Sequence, residues 1–287
     1  MNRILCCLLL LFPAIAAGQV IDLTRGGASI SVDGDDIEVR DQEHFAQVTG
    51  NARATRGEVT VMADQIIARY RRKGAAAADD KTGVGSNEIY RLEAHGNVRI
   101  FTATDTAVGG TAVYDIDQAV LVLTGGGLKI TTPQQIVTAR DSLEYWSDKH
   151  MAVARGKAVV VTADARRLAA DTLVAYTDPA SDTAKPVKPA AAKPDADPLG
   201  AGGQLKRVEA YGNVEIRTVA DTARGDRGLY LADRSSAWLE GNVILTSASG
   251  ELKGAMAEVN MKTGVGKIVR SPGTRVQGMI LPNKPKP

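Results

Sequence analysis

Thiols and aromatic rings are scarce in this sequence. Its two cysteines are adjacent, Cys6 and Cys7, and the rest of the chain has none. This distribution excludes a disulfide framework or a cysteine-ligated metal site in the remainder of the chain. Aromatic residues make up only 4% of the sequence, which argues against an extended surface of rings for stacking sugars.

Residues suited to catalysis are also few. The three histidines have no metal-ligand spacing among them. Asp64, Asp171 and Glu258 recur at similar places along the chain, which favours a structural role over an acid–base pair. The formal net charge of +2 does not favour nucleic acid as a partner. We therefore expect a protein that is not an enzyme, with no catalytic residue, no metal and no cofactor.

The N-terminus has the pattern of a secretory signal peptide. Arg3 supplies a positive charge, and residues 4–15 form an apolar run too short to span a bilayer as a helix. Small residues at 14–18 provide a cleavage site. We expect residues 1–18 to be removed, so that the mature protein begins near Gln19.

Internal repetition is the most informative feature of the chain. Residues 91–125 match residues 207–241 without a gap, and a weaker match relates residues 35–52 to residues 141–158. With two inserted segments set aside, the period is roughly 30 residues, which is in the range of solenoids and similar arrays.

Each repeat has the pattern of β structure. Apolar residues alternate after each glycine, as at Val98 and Ile100, which predicts strands with one apolar face. Gly-Asn pairs supply the positive φ that tight hairpin turns require. The sequence thus predicts an all-β array of repeated hairpins with turns at these glycines: Gly50, Gly96, Gly125, Gly156, Gly212 and Gly241.

Two segments have a composition that cannot form a core. Residues 73–87 are rich in Ala, Gly and charge, and residues 179–203 are rich in Pro, Ala and Lys. We expect both to be flexible loops at hairpin ends, and residues 271–287 to be a disordered tail. Residues 28–270 are then the repeat domain.

A basic cluster borders the first insert and has two interpretations. Arg69, Arg71, Arg72 and Lys73 could contact the phosphates of a glycolipid. A solvated hairpin end is the commoner explanation for such a cluster.

The chain resembles the LptA/OstA family of organic-solvent-tolerance repeat proteins. The likeness depends on Gly-Asn-Val followed by alternating apolar residues, and on Ala63 and Asp64 with Ile66 and Tyr70. It extends over residues 30–269, although this chain is longer than the compact members and carries two inserts.

This resemblance implies an open antiparallel β-jellyroll or β-solenoid in the periplasm of a Gram-negative cell. Members shield the acyl chains of lipid A inside the jellyroll and stack head to tail. They bridge inner- and outer-membrane complexes for outer membrane assembly. The implied partners are lipopolysaccharide, an inner-membrane LptC-like protein, an outer-membrane LptD-like protein and further copies of this chain, with no nucleic acid.

Inward apolar positions are the candidate lipid-binding groove. A lining of Val, Ile, Leu and Ala suits acyl chains, provided that the protein's own side chains do not fill the interior. Ile30 and Val32 match the first strand of the family pattern, whereas Ser31 and Arg99 are expected to face outward. The groove is assigned to ten residues: Ile30, Val32, Val98, Ile100, Leu128, Ile130, Val214, Ile216, Val243 and Leu245.

Two other classes of protein share export, repeats and β content. An exported right-handed β-helix that acts on a polysaccharide would need converging acidic or basic residues on one face, and the sequence offers none. A structural envelope spacer would have a fully packed interior. Bound glycolipid on purification favours the carrier, glycan cleavage the enzyme, and neither result the spacer.

Overall fold

The computed structural model describes residues 30–72, 87–178, 205–260, 266–270 and 275–280. Within these ranges the chain forms eighteen β-strands and one turn of 3-10 helix, Ser147–Lys149. The first nine strands are β1 (Ser31–Asp33), β2 (Asp36–Arg40), β3 (Phe45–Arg56), β4 (Val59–Arg72), β5 (Asn87–Phe101), β6 (Thr106–Asp115), β7 (Val120–Thr124), β8 (Lys129–Thr131) and β9 (Gln135–Thr138). The other nine are β10 (Ser142–Trp146), β11 (Met151–Thr162), β12 (Arg167–Thr177), β13 (Leu205–Arg217), β14 (Thr222–Leu231), β15 (Ser236–Ser247), β16 (Gly250–Asn260), β17 (Gly266–Val269) and β18 (Gln277–Ile280).

The strands form an antiparallel meander that folds over into two layers. Ten strands are long, and four pairs of short strands follow the same path with a break: β1/β2, β7/β8, β9/β10 and β17/β18. The first half of β3 pairs with β2 and its second half pairs with β1. We call the layer that contains β2, β7, β10 and β17 the first layer, and the layer that contains β1, β8, β9 and β18 the second. Apolar side chains from both layers meet in one core, which confirms the expected all-β, antiparallel jellyroll.

The Gly-Asn pairs lie at the bends of the long strands, so their assignment to hairpin turns was wrong. In β3, Gly50 and Asn51 have φ of 72° and 50°, and together they oppose the single residue Asp64 of β4. This is a β-bulge, which bends and twists a strand. Two successive residues with positive φ occur in tight turns and also at these bends, so the sequence pattern alone did not distinguish them.

Aspartates hold the bends from the preceding strand. Asn97 Nδ2 donates to both carboxylate oxygens of Asp64, at 2.9 and 3.1 Å, and Asn213 donates to Asp171 at 2.8 Å. Asn242 in turn donates to Asp226, also at 2.8 Å. Asp64 and Asp171 therefore have the structural role that their repetition predicts.

The hairpin turns lie at the strand ends, where hydroxyl groups cap them. Thr102 Oγ1 accepts hydrogen bonds from the backbone N–H groups of Thr104 and Asp105 at 3.3 and 3.1 Å. Thr218 Oγ1 accepts the equivalent two hydrogen bonds from the backbone N–H groups of Ala220 and Asp221, at 3.2 and 2.9 Å. Such side-chain bonds satisfy turn donors that no strand partner can reach.

Replacing Gly96 by alanine should destabilise the protein more than replacing Gly57. Both glycines have positive φ, 75° and 56°, which costs a non-glycine residue about 1–2 kcal/mol. A Cβ at Gly96 would also overlap the carboxylate of Asp64, whereas a Cβ at Gly57 meets nothing. Urea unfolding measures both losses. If both variants lost the same free energy of unfolding, the close approach of Asp64 to Gly96 would not contribute to the stability of the bend.

The strand boundaries differ from the expected ones at two places. Asn87 belongs to β5 and not to the first insert. β18 lies inside the segment that was expected to be disordered, and it pairs with β16 through Lys253 and Gln277. β17 pairs with the second half of β16 and β18 pairs with its first half, so the two short strands together make the last bent strand. The expected leader (1–18), residues 73–86 and 179–203 of the inserts, and residues 281–287 lie outside the described residues.

Candidate functional site

A cavity of about 210 Å³ lies between the two layers near the N-terminal strands. Its walls are almost entirely apolar and come from both layers. The second layer contributes Ile30, Val32, Ala54, Val61 and Ile100. The first layer contributes residues of β2 to β7, among them Ile37, Ala46, Val48, Ile66, Ala68, Leu92, Ala94, Ala112, Tyr114 and Leu121.

Small side chains leave this space unfilled. Ala46 lies opposite Ala68, and Ala94 lies opposite Ala112, in the register of the first layer. All four alanines line the cavity. A methyl group cannot reach across to the other layer as a leucine can, so the layers enclose a void here.

The cavity is exposed to solvent along β2. Ile37, which lines it, is 58% exposed, and Val39 on the same face is 63% exposed. Within the described ranges, β2 pairs only with β3, so no strand covers these side chains. Exposed apolar residues beside an apolar cavity mark a surface that takes a ligand or a partner.

A second, smaller cavity of about 40 Å³ extends the apolar path toward the middle of the chain. It shares Ile100 and Leu121 with the larger cavity. Its other apolar walls include Leu123, Ile130 and Leu143.

The structure separates the ten residues assigned to the groove into two groups. Ile30, Val32 and Ile100 line the larger cavity, and Ile100 and Ile130 line the smaller one. The other six have at most 8% exposure and line neither of these cavities: Val98, Leu128, Val214, Ile216, Val243 and Leu245. Their position in the interior is established, whereas a role of any of the ten in lipid binding stays a prediction.

Sequence reasoning missed the first-layer wall. Val48, Ile66, Leu92 and Tyr114 line the cavity and lie in the strand halves on the other side of each bend. The signal was present, because apolar residues also alternate before each Gly-Asn pair, as at Leu92 and Ala94.

A cluster of ion pairs covers the outer side of this wall. Glu93 has only 9% exposure and lies 2.7 Å from Arg69 Nε, 3.0 Å from Arg91 Nε and 3.2 Å from His95 Nε2. Burial alone would raise the pKa of Glu93, but hydrogen bonds from Arg69 and His95 and the nearby guanidinium charges lower it below its usual value. The carboxylate therefore stays ionised and ties β4 to β5.

Two arginines of the basic cluster beside the first insert are paired with carboxylates. Arg69 binds Glu93, and Arg71 donates two hydrogen bonds to Asp117 at 2.7 and 2.9 Å. Paired guanidinium groups favour the hairpin-end interpretation over a phosphate site. The side chains of the other two cluster residues are outside the described part of the chain.

The histidines occupy structural positions. His44 and His150 have positive φ, 57° and 46°, at turns between neighbouring strands. In the described part of the chain, no group of three or more His, Asp or Glu side chains could hold a metal ion. The same ranges contain no helix long and apolar enough to cross a membrane.

Comparisons with known proteins agree with this architecture. A family model described as LptA/(LptD N-terminal domain) LPS transport protein matches residues 31–141 and again residues 137–265. The two matches meet where β9 and β10 begin the second half of the sheet.

Single relatives are more distant. An uncharacterised protein of Rhizobium meliloti (strain 1021) is 25% identical over 96 residues, which are 33% of this chain and 49% of that protein. The alignment thus spans about half of that relative. The crystal structure of LptH, the LptA homologous periplasmic component of the lipopolysaccharide transport device from Pseudomonas aeruginosa, aligns with 89% of this chain and 96% of its own at 10% identity. The TM-score of 0.20 is too low to compare geometry.

Proposed function

Because this chain belongs to the LptA/LptD N-terminal domain family of lipopolysaccharide transport proteins, we propose that it carries lipopolysaccharide through the periplasm with the acyl chains of lipid A shielded between its two layers. The observation that carries this proposal is the apolar cavity of about 210 Å³ that is exposed along β2. Members of this family are transport proteins, in keeping with the expectation that the chain is not an enzyme.

The cavity supplies the driving force that such a carrier needs. Each methylene group removed from water contributes about 0.8 kcal/mol. An acyl chain that enters beside Ile37 would exchange water for the side chains of Val48, Ile66 and Leu92. The alanines provide the room, so the chain enters without displacing packed core.

Strand edges support a bridging role. Where the two halves of the chain meet, β7 pairs with β10 through Leu123 and Leu143, and β8 pairs with β9 through Ile130 and Val137. β1 and β2 hold the corresponding place at the start of the first half, and in the described ranges they pair only with β3. Unpaired strand edges accept another strand. We infer that an inner-membrane LptC-like protein or a second copy docks at β1/β2, and an outer-membrane LptD-like protein at β17/β18.

The two alternative classes fit the molecule less well. Each strand pair in the described ranges is antiparallel, whereas a β-helix is built from parallel strands. A structural spacer would have a filled interior, and this one is hollow near β1 to β6.

Photo-crosslinking in cells tests the proposal. A crosslinking residue at Val32, which lines the cavity, should capture lipopolysaccharide. The same residue at Ser31, which is exposed and faces away from the cavity, should capture little. A third position, Ile66, tests the first-layer wall. Equal capture from Val32 and Ser31, or none from any position, would overturn the transport proposal.

A further inference from the structure

The outward surface of the second layer carries an excess of positive charge. Alternation along each strand and the cross-strand register identify the side chains that share this surface. Three cations lie in the N-terminal half, Arg53, Arg99 and Lys129. Four lie in the C-terminal half, Arg167, Arg217, Arg224 and Lys253. On the described strands of this layer, only three carboxylates face the same way, those of Asp33, Glu215 and Glu251. We call this surface the basic face.

The opposite surface, on the first layer, is balanced by comparison. Most of its arginines lie within salt-bridge distance of a carboxylate, and Arg227 lies opposite Glu240 on the next strand. Arg91 lies 3.0 Å from Glu93, and Arg155 lies 2.7 Å from Glu144. The charge asymmetry therefore belongs to the second layer and not to the molecule as a whole.

The carboxylates of the basic face do not neutralise it. Glu215 alone serves three guanidinium groups, those of Arg167 and Arg217 at 2.8 Å and of Arg224 at 3.0 Å. Arg53, Arg99 and Lys129 are exposed, and no ion pair involves them within the described ranges.

Apolar side chains lie among these cations on the same surface. Ile136 and Val161 are cross-strand partners with 42% and 37% exposure. Val161 lies opposite Arg167 on the next strand. In the N-terminal half of the same surface, Met62 is 37% exposed and lies opposite Arg99 on the next strand. An outward sheet face that combines exposed apolar residues with an excess of cations marks an interaction surface.

We propose that the basic face rests on an anionic phospholipid bilayer. The cations are spread over seven strands of a layer in which neighbouring strands are about 4.8 Å apart. They do not converge on one point, so they match a charged surface and not a single phosphate. Cations near an anionic lipid surface draw a protein to it, and apolar side chains between them can enter the headgroup region. This docking is a second property of the molecule, separate from the proposed carriage of lipopolysaccharide.

Flotation of the full chain with vesicles tests this inference. The protein should bind vesicles of phosphatidylcholine with phosphatidylglycerol at low salt, should not bind phosphatidylcholine alone, and should be released at high salt because salt screens exposed charges. Each cation near such a surface contributes about five-fold in partitioning. An R99Q/K129Q variant should therefore bind roughly 25-fold more weakly.

A matched variant shows whether position or net charge matters. R227Q/K267Q removes the same two charges from exposed positions on the first layer and should bind as the unchanged protein does. Circular dichroism checks that each variant is folded. No binding to the anionic vesicles, equal binding to both vesicle types, or an equal loss in the two variants would overturn the docking face.

Discussion

A variant in which Ala46 and Ala68 are both replaced by leucine should keep its β-sheet structure and capture lipopolysaccharide about ten-fold less well. The two alanines lie opposite each other and line the larger cavity. Two leucine side chains would occupy space that acyl methylenes need. Excluding two methylenes costs about 1.6 kcal/mol, which corresponds to roughly a ten-fold loss of affinity.

Circular dichroism and lipopolysaccharide capture by the purified protein measure the two effects separately. Thr49→Leu is the matched control, because Thr49 lies on β3 but faces outward. It adds a leucine to the same strand without entering the cavity. Undiminished capture by the double variant would show that acyl chains do not occupy this cavity.

Leu245→Ala should destabilise the protein strongly and leave its capture of lipopolysaccharide unchanged. Leu245 is 7% exposed and lines neither of the two cavities. Removing a buried leucine side chain costs about 2–5 kcal/mol. For a domain of this size, that loss lowers the melting temperature by roughly 4–20 °C.

Ile100→Ala is the informative comparison. Ile100 is 3% exposed and lines both cavities, so its truncation should reduce both stability and capture. Thermal unfolding and capture far below the melting temperature separate the two quantities. An equal loss of capture in folded Leu245→Ala protein would place the lipid path in the C-terminal half as well.

Half of the interior could be predicted from the sequence, because alternation is a local property. The motif that begins at Gly96 placed Val98 and Ile100 inside, and its repeat at Gly212 did the same for Val214 and Ile216. The alternation read in this way covers only the strand halves that follow each glycine. The opposing wall comes from the halves before it, and the register between strands decides that these halves form a separate layer.

The bends and the cavity depend on distant pairs of residues. Gly96 and Asn97 look like a hairpin turn until Asp64, on the preceding strand, is seen to accept hydrogen bonds from the asparagine. In the same way, an alanine such as Ala94 leaves a void only because its partner Ala112 is also small. Neither relation has a fixed spacing along the chain.

The junction of β7 and β8 with β9 and β10 joins two family-sized units within one polypeptide. A contact between separate molecules is occupied according to concentration and dissociation constant. A contact within one chain is held at a high effective concentration and persists at any dilution. A filament assembled from such double units has half as many dissociable contacts as one of equal length assembled from single units. The chance that a filament is unbroken is the product of the occupancies of its contacts. If this chain stacks as proposed above, its fused units would therefore keep a continuous span at lower copy number.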